Sequence, residues 1–179
     1  MSTALALVRH GQTAWNEEGR LQGSADIPLD ATGREQAAAG GAELAGRQWD
    51  VLVSSPLGRA VETAHIFGQR IGLEPATPMA GLRERNYGPL EGQPLKGLSE
   101  PEYNRLHAGA EPEDEVAERG LAALRDVLEE YPGQRIVVVA HGTLIRLTMS
   151  ALLGQPHPRL ANCEVVDVEP EMLLNLQAA

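Results

Sequence analysis

Two apolar runs in this chain each end in His-Gly. Ala4–Val8 leads into Arg9-His10-Gly11, and Val137–Ala140 leads into His141-Gly142. In open α/β sheets, ligands bind at the C-terminal ends of strands, so both imidazoles stand where chemistry is done. Arg59, in Ser54-Ser55-Pro56-Leu57-Gly58-Arg59, and Glu84, in Leu82-Arg83-Glu84-Arg85-Asn86-Tyr87-Gly88, complete a set of types suited to phosphoryl transfer. That reaction needs a nucleophile, a proton donor for the leaving oxygen, and positive charge around the equatorial oxygens. A neutral imidazole can be the nucleophile. His10 is the candidate, and the like charge of Arg9 and Arg59 favours its neutral form. Guanidinium forks suit phosphate oxygens, and the main-chain N–H groups at the start of the helix carrying Arg59 are expected to add to the anion site. His141 is placed to donate a hydrogen bond to the transferring group. Glu84 is the candidate acid and base, in surroundings expected to be apolar or anionic and so to hold its proton near neutrality. Its structural alternative is an ion pair with Arg83 or Arg85. This scheme requires no metal or cofactor. The chain has no His-Glu-x-x-His, Walker A or Gly-x-Ser-x-Gly pattern, so metalloprotease, nucleotide-loop and serine-hydrolase readings lack support.

Alternating strand and helix signals must position these groups, and they predict a three-layer α/β sandwich: a mostly parallel sheet, helices on both faces and an antiparallel edge. Ala4–Val8, Asp50–Ser54 and Arg135–Ala140 are the strands, the last of them central. A helix is predicted from Thr32, with Thr32 and Glu35 spaced as a capping box, to near Gly46. Another begins at Ser55-Pro56 and buries Ala60, Ala64, Phe67 and Ile71. The segment Leu90–Gly109 has weak periodicity and reads as a lid, with a short helix after Ser99. A long helix over Pro112–Tyr131 carries a stripe of Leu121, Leu124, Leu128 and Tyr131. A further helix, Gly142–Leu153, stops at Gly154. Glu164–Val168 and Met172–Leu176 alternate as a closing hairpin. No boundary divides the chain, so 1–179 reads as a single domain.

Further motifs follow in order: Arg20-Leu21-Gln22-Gly23, then Pro28-Leu29-Asp30 leading into Thr32-Gly33-Arg34-Glu35. Together with those above, they cover nearly the whole chain. The sequence resembles the histidine phosphatase superfamily, also called phosphoglycerate mutase-like. The resemblance implies a phosphohistidine on His10, with Arg9, Arg59 and His141 on the phosphate and Glu84 as acid and base. It also implies that Asn16, Gln22 and Gly23 line the phosphate pocket. The superfamily holds phosphatases and mutases. Glu84-Arg85-Asn86-Tyr87-Gly88 is similar to the mutase pattern Glu-Arg-His-Tyr-Gly. Phosphoglycerate mutases, however, carry a longer insertion with an adjacent Arg pair. Here Gly92–Gly109 is short and has only Lys96 and Arg105 as cations. The expectation is a phosphatase acting on a small phosphorylated metabolite, with a mutase as the alternative and a non-catalytic phospholigand-binding module as a third reading. Where phosphatases of this group often have Gly-Gly-Glu-Ser, the chain reads Gly109-Ala110-Glu111-Pro112, so proline stands at the helix cap.

At 179 residues, 42% hydrophobic and 22% charged, the chain has the composition of a globular domain. A net charge of −10 argues against a nucleic-acid or anionic-membrane partner. No leader pattern or spanning apolar stretch is visible, and Cys163 is the one cysteine, which fits a cytoplasmic protein acting as a monomer or homodimer. Tyr87 either touches substrate or packs. Glu91 and Glu111 are either supports to the site or solvated carboxylates. His65, His107 and His157 read as surface histidines or ones satisfied by hydrogen bonds, and Cys163 as a small buried hydrophobe.

Overall fold

The computed structural model describes residues 3–94 and 96–176. Strand β1 (Ala4–Arg9) leads through a short helix α1 (Ala14–Glu17) to α2 (Ala31–Leu44), β2 (Val51–Ser54) and α3 (Gly58–Ile71). Two 3-10 turns follow, at Ala80–Leu82 and Gly88–Leu90. Then come α4 (Glu100–His107), α5 (Glu113–Glu130), β3 (Arg135–Ala140), α6 (Gly142–Leu153), β4 (Val165–Val168) and α7 (Pro170–Asn175). Among the described residues the sheet order is β2-β3-β1-β4. The first three strands are parallel, and β4 pairs antiparallel with β1 at the edge.

Alternate residues of a strand face opposite sides of the sheet. Leu5, Leu7, Ile136 and Val138 therefore join one core with α5 and α6. Ala6, Val8, Val137 and Val139 join another, which includes Phe67 and Ala64 of α3 and Ala37 of α2. Burial on both faces explains why these strands are continuous apolar runs. The expected three layers and antiparallel edge are present.

Register brings the two histidines together. β1 and β3 run parallel with Arg9 opposite Ala140. The next residue of each strand is a histidine, so both leave the sheet at the same level. The His10 N–H donates to the Ala140 carbonyl at 3.0 Å. β2 ends one position earlier, with Ser54 opposite Val139, and delivers Ser55 beside them.

Several local expectations are corrected. The second arm of the closing hairpin is a helix, α7. Pro170 suits the first turn of a helix, and Leu173 is the residue that reaches the core. α2 is capped by Asp30, whose carboxylate accepts from the Gly33 N–H at 2.7 Å, while Thr32 is exposed. α3 starts at Gly58, not at Pro56. Asp26 from the preceding loop accepts its first N–H at 2.8 Å, and Ser55 Oγ accepts from Leu57. In α5 the buried stripe is Val116, Gly120, Ala123, Leu124, Val127 and Leu128, with Leu121 and Tyr131 only half-buried at its margin. The short helix after Ser99 is present as α4, where Glu102 accepts from both the main chain and the hydroxyl of Ser99. The segment from 90 onward packs against the N-terminal loop, through a bridge between Arg20 and Pro94 and a bond from Gly92 to the Leu21 carbonyl.

Candidate active site

A cavity of about 260 Å³ opens over the C-terminal ends of β1 and β3. Every residue assigned to the site from sequence lines it or lies against it: Arg9, His10, Asn16, Gln22, Gly23, Arg59, Glu84 and Tyr87 line the cavity, and His141 packs edge-on to His10 with ring centroids 5.2 Å apart.

His10 is held in one tautomer. Its Nδ1 lies 2.7 Å from the Gly11 carbonyl, which can only accept, so Nδ1 carries the proton. Nε2 is then unprotonated, its lone pair accepting from Arg59 Nε at 3.2 Å. The ring is 3% exposed. Burial first, then the guanidinium groups of Arg59 and Arg9, hold its pKa well below the ordinary histidine value. The neutral form expected from sequence therefore rests more on burial than on like charge. His141 is fully buried and held low for the same reasons, burial leading and Arg59 next. Its Nε2 meets Ser55 Oγ at 2.7 Å, while its Nδ1 has no partner among the described residues.

Arg59 is fully buried and spreads its fork: Nη1 donates to Ala25 O and Nη2 to Gly23 O, fixing the 22–26 loop under the cavity. Arg9 donates Nη1 to Leu160 O at 2.6 Å, and its buried Nε has no partner among the described residues. Asn16 closes α1 as a capping box with Thr13, and its Oδ1 also accepts from Asn162. With that oxygen occupied, its amide NH₂ is the group left for the cavity. Gln22 likewise spends its Oε1 on Thr13 Oγ.

Glu84 departs from expectation. It makes no ion pair with Arg83 or Arg85, and its surroundings are neither apolar nor anionic. Oε1 accepts from the N–H groups of Arg85 and Leu144, and Oε2 from Thr143. The carboxylate thus sits on the N-terminal turn of α6, where the helix dipole favours it. Oε1 has both lone pairs occupied, so Oε2 is the atom free to exchange a proton. The α3 N-terminus, by contrast, spends its first N–H on Asp26 and does not open onto the cavity.

Tyr87 is buried and packs with its tip satisfied, bonding Thr143 Oγ at 2.5 Å. Burial and the neighbouring Glu84 raise its phenol pKa. Glu91 accepts from Ser24 and Tyr87 main-chain N–H groups, and Glu111 from that of Asn86. Both are supports, not solvated carboxylates. His65 is exposed and His157 half-exposed, whereas His107 touches Arg85 and stacks on Tyr103. Cys163 is half-buried beside the Phe67 cluster, and burial pushes its thiol up to about 12.

Some residues of consequence were not singled out from sequence. Ser55 partners His141. Thr63 accepts from the Gly11 N–H at 3.1 Å and ties the His10 loop to α3. Asn162 donates to the His10 carbonyl. Arg119 of α5 donates to Gly81 O and Arg83 O and to both oxygens of Glu111, fixing the chain on either side of Glu84. Arg119 had a visible signal: a cation one turn from Val116 at the edge of an apolar stripe.

Residues 5–171 match the model of the histidine phosphatase superfamily, branch 1. The chain belongs to that superfamily. It is 36% identical over 165 residues to the protein named uncharacterized phosphatase PhoE of Bacillus subtilis (strain 168), covering 92% of this chain and 84% of that one. It is also 36% identical over 179 residues to the probable phosphoglycerate mutase GpmB of Salmonella arizonae, covering 91% and 83%. Among solved structures, a mycobacterial glucosyl-3-phosphoglycerate phosphatase superposes with a TM-score of 0.79 at 30% identity, covering 93% of this chain and 92% of the other. Among the described residues no helix is long and apolar enough to cross a membrane.

Proposed function

We propose that this histidine phosphatase superfamily member is a metal-independent phosphomonoester hydrolase that works through a phosphohistidine on His10 Nε2. The observation that carries this is the pairing of a nucleophile with orphan donors. The ring presents an unprotonated Nε2 because Gly11 fixes the Nδ1 proton, and the contact it receives from Arg59 Nε is one that an incoming phosphoryl group can take over. Arg9 lines the same cavity and His141 packs edge-on to His10, and Arg9 Nε and His141 Nδ1, the latter a donor when Ser55 gives its hydroxyl proton to Nε2, have no partner among the described residues. Unpartnered buried donors around a neutral nucleophile match a tetrahedral anion.

In the first half-reaction Nε2 attacks phosphorus as the P–O bond to the leaving alcohol breaks. Arg9, Arg59, His141, Asn16 and Gln22 hold the equatorial oxygens, with Gly23 keeping the loop close. With the phosphoryl group bound beside it, Glu84 takes a proton on Oε2 from solvent and delivers it to the leaving alkoxide. In the second, a water gives its proton to Glu84 and its oxygen to phosphorus, the N–P bond breaks, and phosphate leaves with His10 restored. Arginines supply the charge stabilisation that a metal supplies elsewhere.

The substrate under this proposal is a small phosphorylated metabolite, in keeping with the phosphatase names among the relatives. Nucleic acid and membrane are not partners on this reading, which rests on the −10 net charge. A single cysteine, which rules out a disulfide within the chain, is in keeping with a cytoplasmic place. Mutase activity is the second reading, favoured by the mutase-named relative. The test is hydrolysis of p-nitrophenyl phosphate with EDTA present. Turnover by the wild type and none by His10→Ala supports the proposal. Phosphoglycerate isomerisation at a rate equal to or above hydrolysis would move it to the mutase.

A further inference from the structure

Glu84 lines two cavities. The first is the His10 cavity. The second has a volume of about 710 Å³ and lies against the 80–86 and 109–111 segments. The partition between them is thin. Gln22 and Gly23 line the first cavity, the next residue, Ser24, lines the second, and Glu84 lines both. The second cavity reaches solvent, because Ser24, Arg83 and Asn86 on its wall are exposed. It runs inward to the half-buried Glu84, Glu111 and Arg119.

Its chemistry suits water. A hydrated cavity needs polar partners and room for waters of ~30 Å³ each, and this one has both. The charges at its inner end are spent on one another. Arg119 donates to both oxygens of Glu111 and to the Gly81 and Arg83 carbonyls, so a substrate anion finds little there to bind. The reaction also needs a water route at this place. Attacking and leaving oxygens lie in line through phosphorus, so water must approach the phosphohistidine from the side on which the alcohol departs, beside Glu84. Until the alcohol has left, it stands between that point and the mouth of the first cavity.

We propose that the second cavity is the inlet for the hydrolytic water. A water from it gives its proton to Glu84 Oε2 and its oxygen to phosphorus. The bond from phosphorus to His10 Nε2 breaks, Nε2 regains its lone pair, and the proton passes from Glu84 back through the same cavity to solvent. The alcohol uses the first cavity and water the second, so hydrolysis does not wait for the first to empty. The inference rests on the phosphatase reading and deepens it, since a separate water route favours hydrolysis over return of the phosphoryl group to an alcohol.

Ala80 and Ala110 line the second cavity and not the first, so Ala80→Trp, Ala110→Trp and the two together narrow the inlet alone. Rapid quenched-flow with p-nitrophenyl phosphate separates the two steps. The p-nitrophenolate ion leaves without a proton, so its burst reports the first step, and the phosphoryl group on His10 reports the second. The burst should stay within about threefold of wild type while loss of the phosphohistidine slows by ~10-fold or more. Glycerol added as an acceptor enters by the first cavity, so the ratio of glycerol phosphate to inorganic phosphate should rise by the same factor. If the paired variant does not fold, the single variants carry the test. Dephosphorylation within about threefold of wild type in every folded variant overturns the inlet. So does equal slowing of hydrolysis and of transfer to glycerol, which marks a structural disturbance. A wild type that forms no phosphohistidine overturns the phosphatase reading, and the inlet with it.

Discussion

Arg119→Met should cripple the site without touching its cavity. The guanidinium donates to Gly81 O and Arg83 O, both at 2.8 Å, and to the two oxygens of Glu111 at 3.0 and 3.1 Å. Glu111 in turn accepts from the Asn86 N–H at 2.9 Å. Glu84 lies between these anchors. Hydrogen bonds to charged groups are worth ~1.5–3 kcal/mol each, but they do not simply add. The two side chains are 27% and 20% exposed, so water recovers part of the loss. A net cost of ~2–4 kcal/mol follows, most of it from the half-buried Glu111 carboxylate left without its cation. Freed on both sides, Glu84 shifts, and a misplacement of ~1 Å costs ~10²-fold in rate. Urea denaturation reads the first quantity, and steady-state hydrolysis of p-nitrophenyl phosphate reads the second. The loss should fall on kcat more than on KM, because Arg119 does not line the His10 cavity. A double-mutant cycle with Glu111→Gln should show coupling of ~1–3 kcal/mol. Stability within ~0.5 kcal/mol of wild type with kcat within about threefold would refute this reasoning.

Other expectations follow from the same geometry. His10 and His141 are both held low by burial, with Arg59 as the second cause. Above pH ~6.5 both are neutral folded or unfolded, whereas below it only the unfolded chain takes up the protons, so stability should fall by ~2 kcal/mol from pH ~6.5 to ~5.5. Glu111, held below the usual carboxylate range because Arg119 and the Asn86 N–H outweigh its burial, adds to the loss only below pH ~4.5. Urea midpoints at the two pH values measure the histidine contribution, and a change under ~0.5 kcal/mol would contradict it. Gly33→Ala puts a Cβ 2.1 Å from the Gln12 carbonyl oxygen, where α2 passes against the His10 loop; an unfolding cost of ~1–3 kcal/mol is expected, and an unchanged Tm would show that the loop yields freely. Ser55→Ala removes the partner of His141 Nε2 and should lower kcat by ~10–100-fold with KM little changed; equal loss in both would mean that the serine serves binding instead.

The sequence carried the parts of this site that strands deliver. An apolar run ending in His-Gly is local information, and β1 and β3 need only pair in parallel, in register, to bring His10 and His141 together. Arg59 was legible from its place at the start of a helix. What lay beyond reach was tertiary. The surroundings of Glu84 depend on how α6 docks against the 82–88 turn, and no local pattern reports that three N–H groups converge there. The α2 and α3 starts were misplaced because Asp30 is a better cap than Thr32, and because a loop residue, Asp26, caps α3 from outside the local sequence. The hairpin at the C-terminus failed because a short apolar alternation also fits a single helical turn, and Pro170 decides for the helix.

The central claim is covalent: the phosphoryl group passes through His10. Rapid acid-free quenching during turnover of p-nitrophenyl phosphate, followed by peptide mass spectrometry, tests it most directly. The account predicts one phosphoryl group on the peptide containing His10, stable to alkali, lost in acid, and missing from His10→Ala. Steady turnover with no phosphoryl group on that peptide, or turnover by His10→Ala at the wild-type rate, would contradict it.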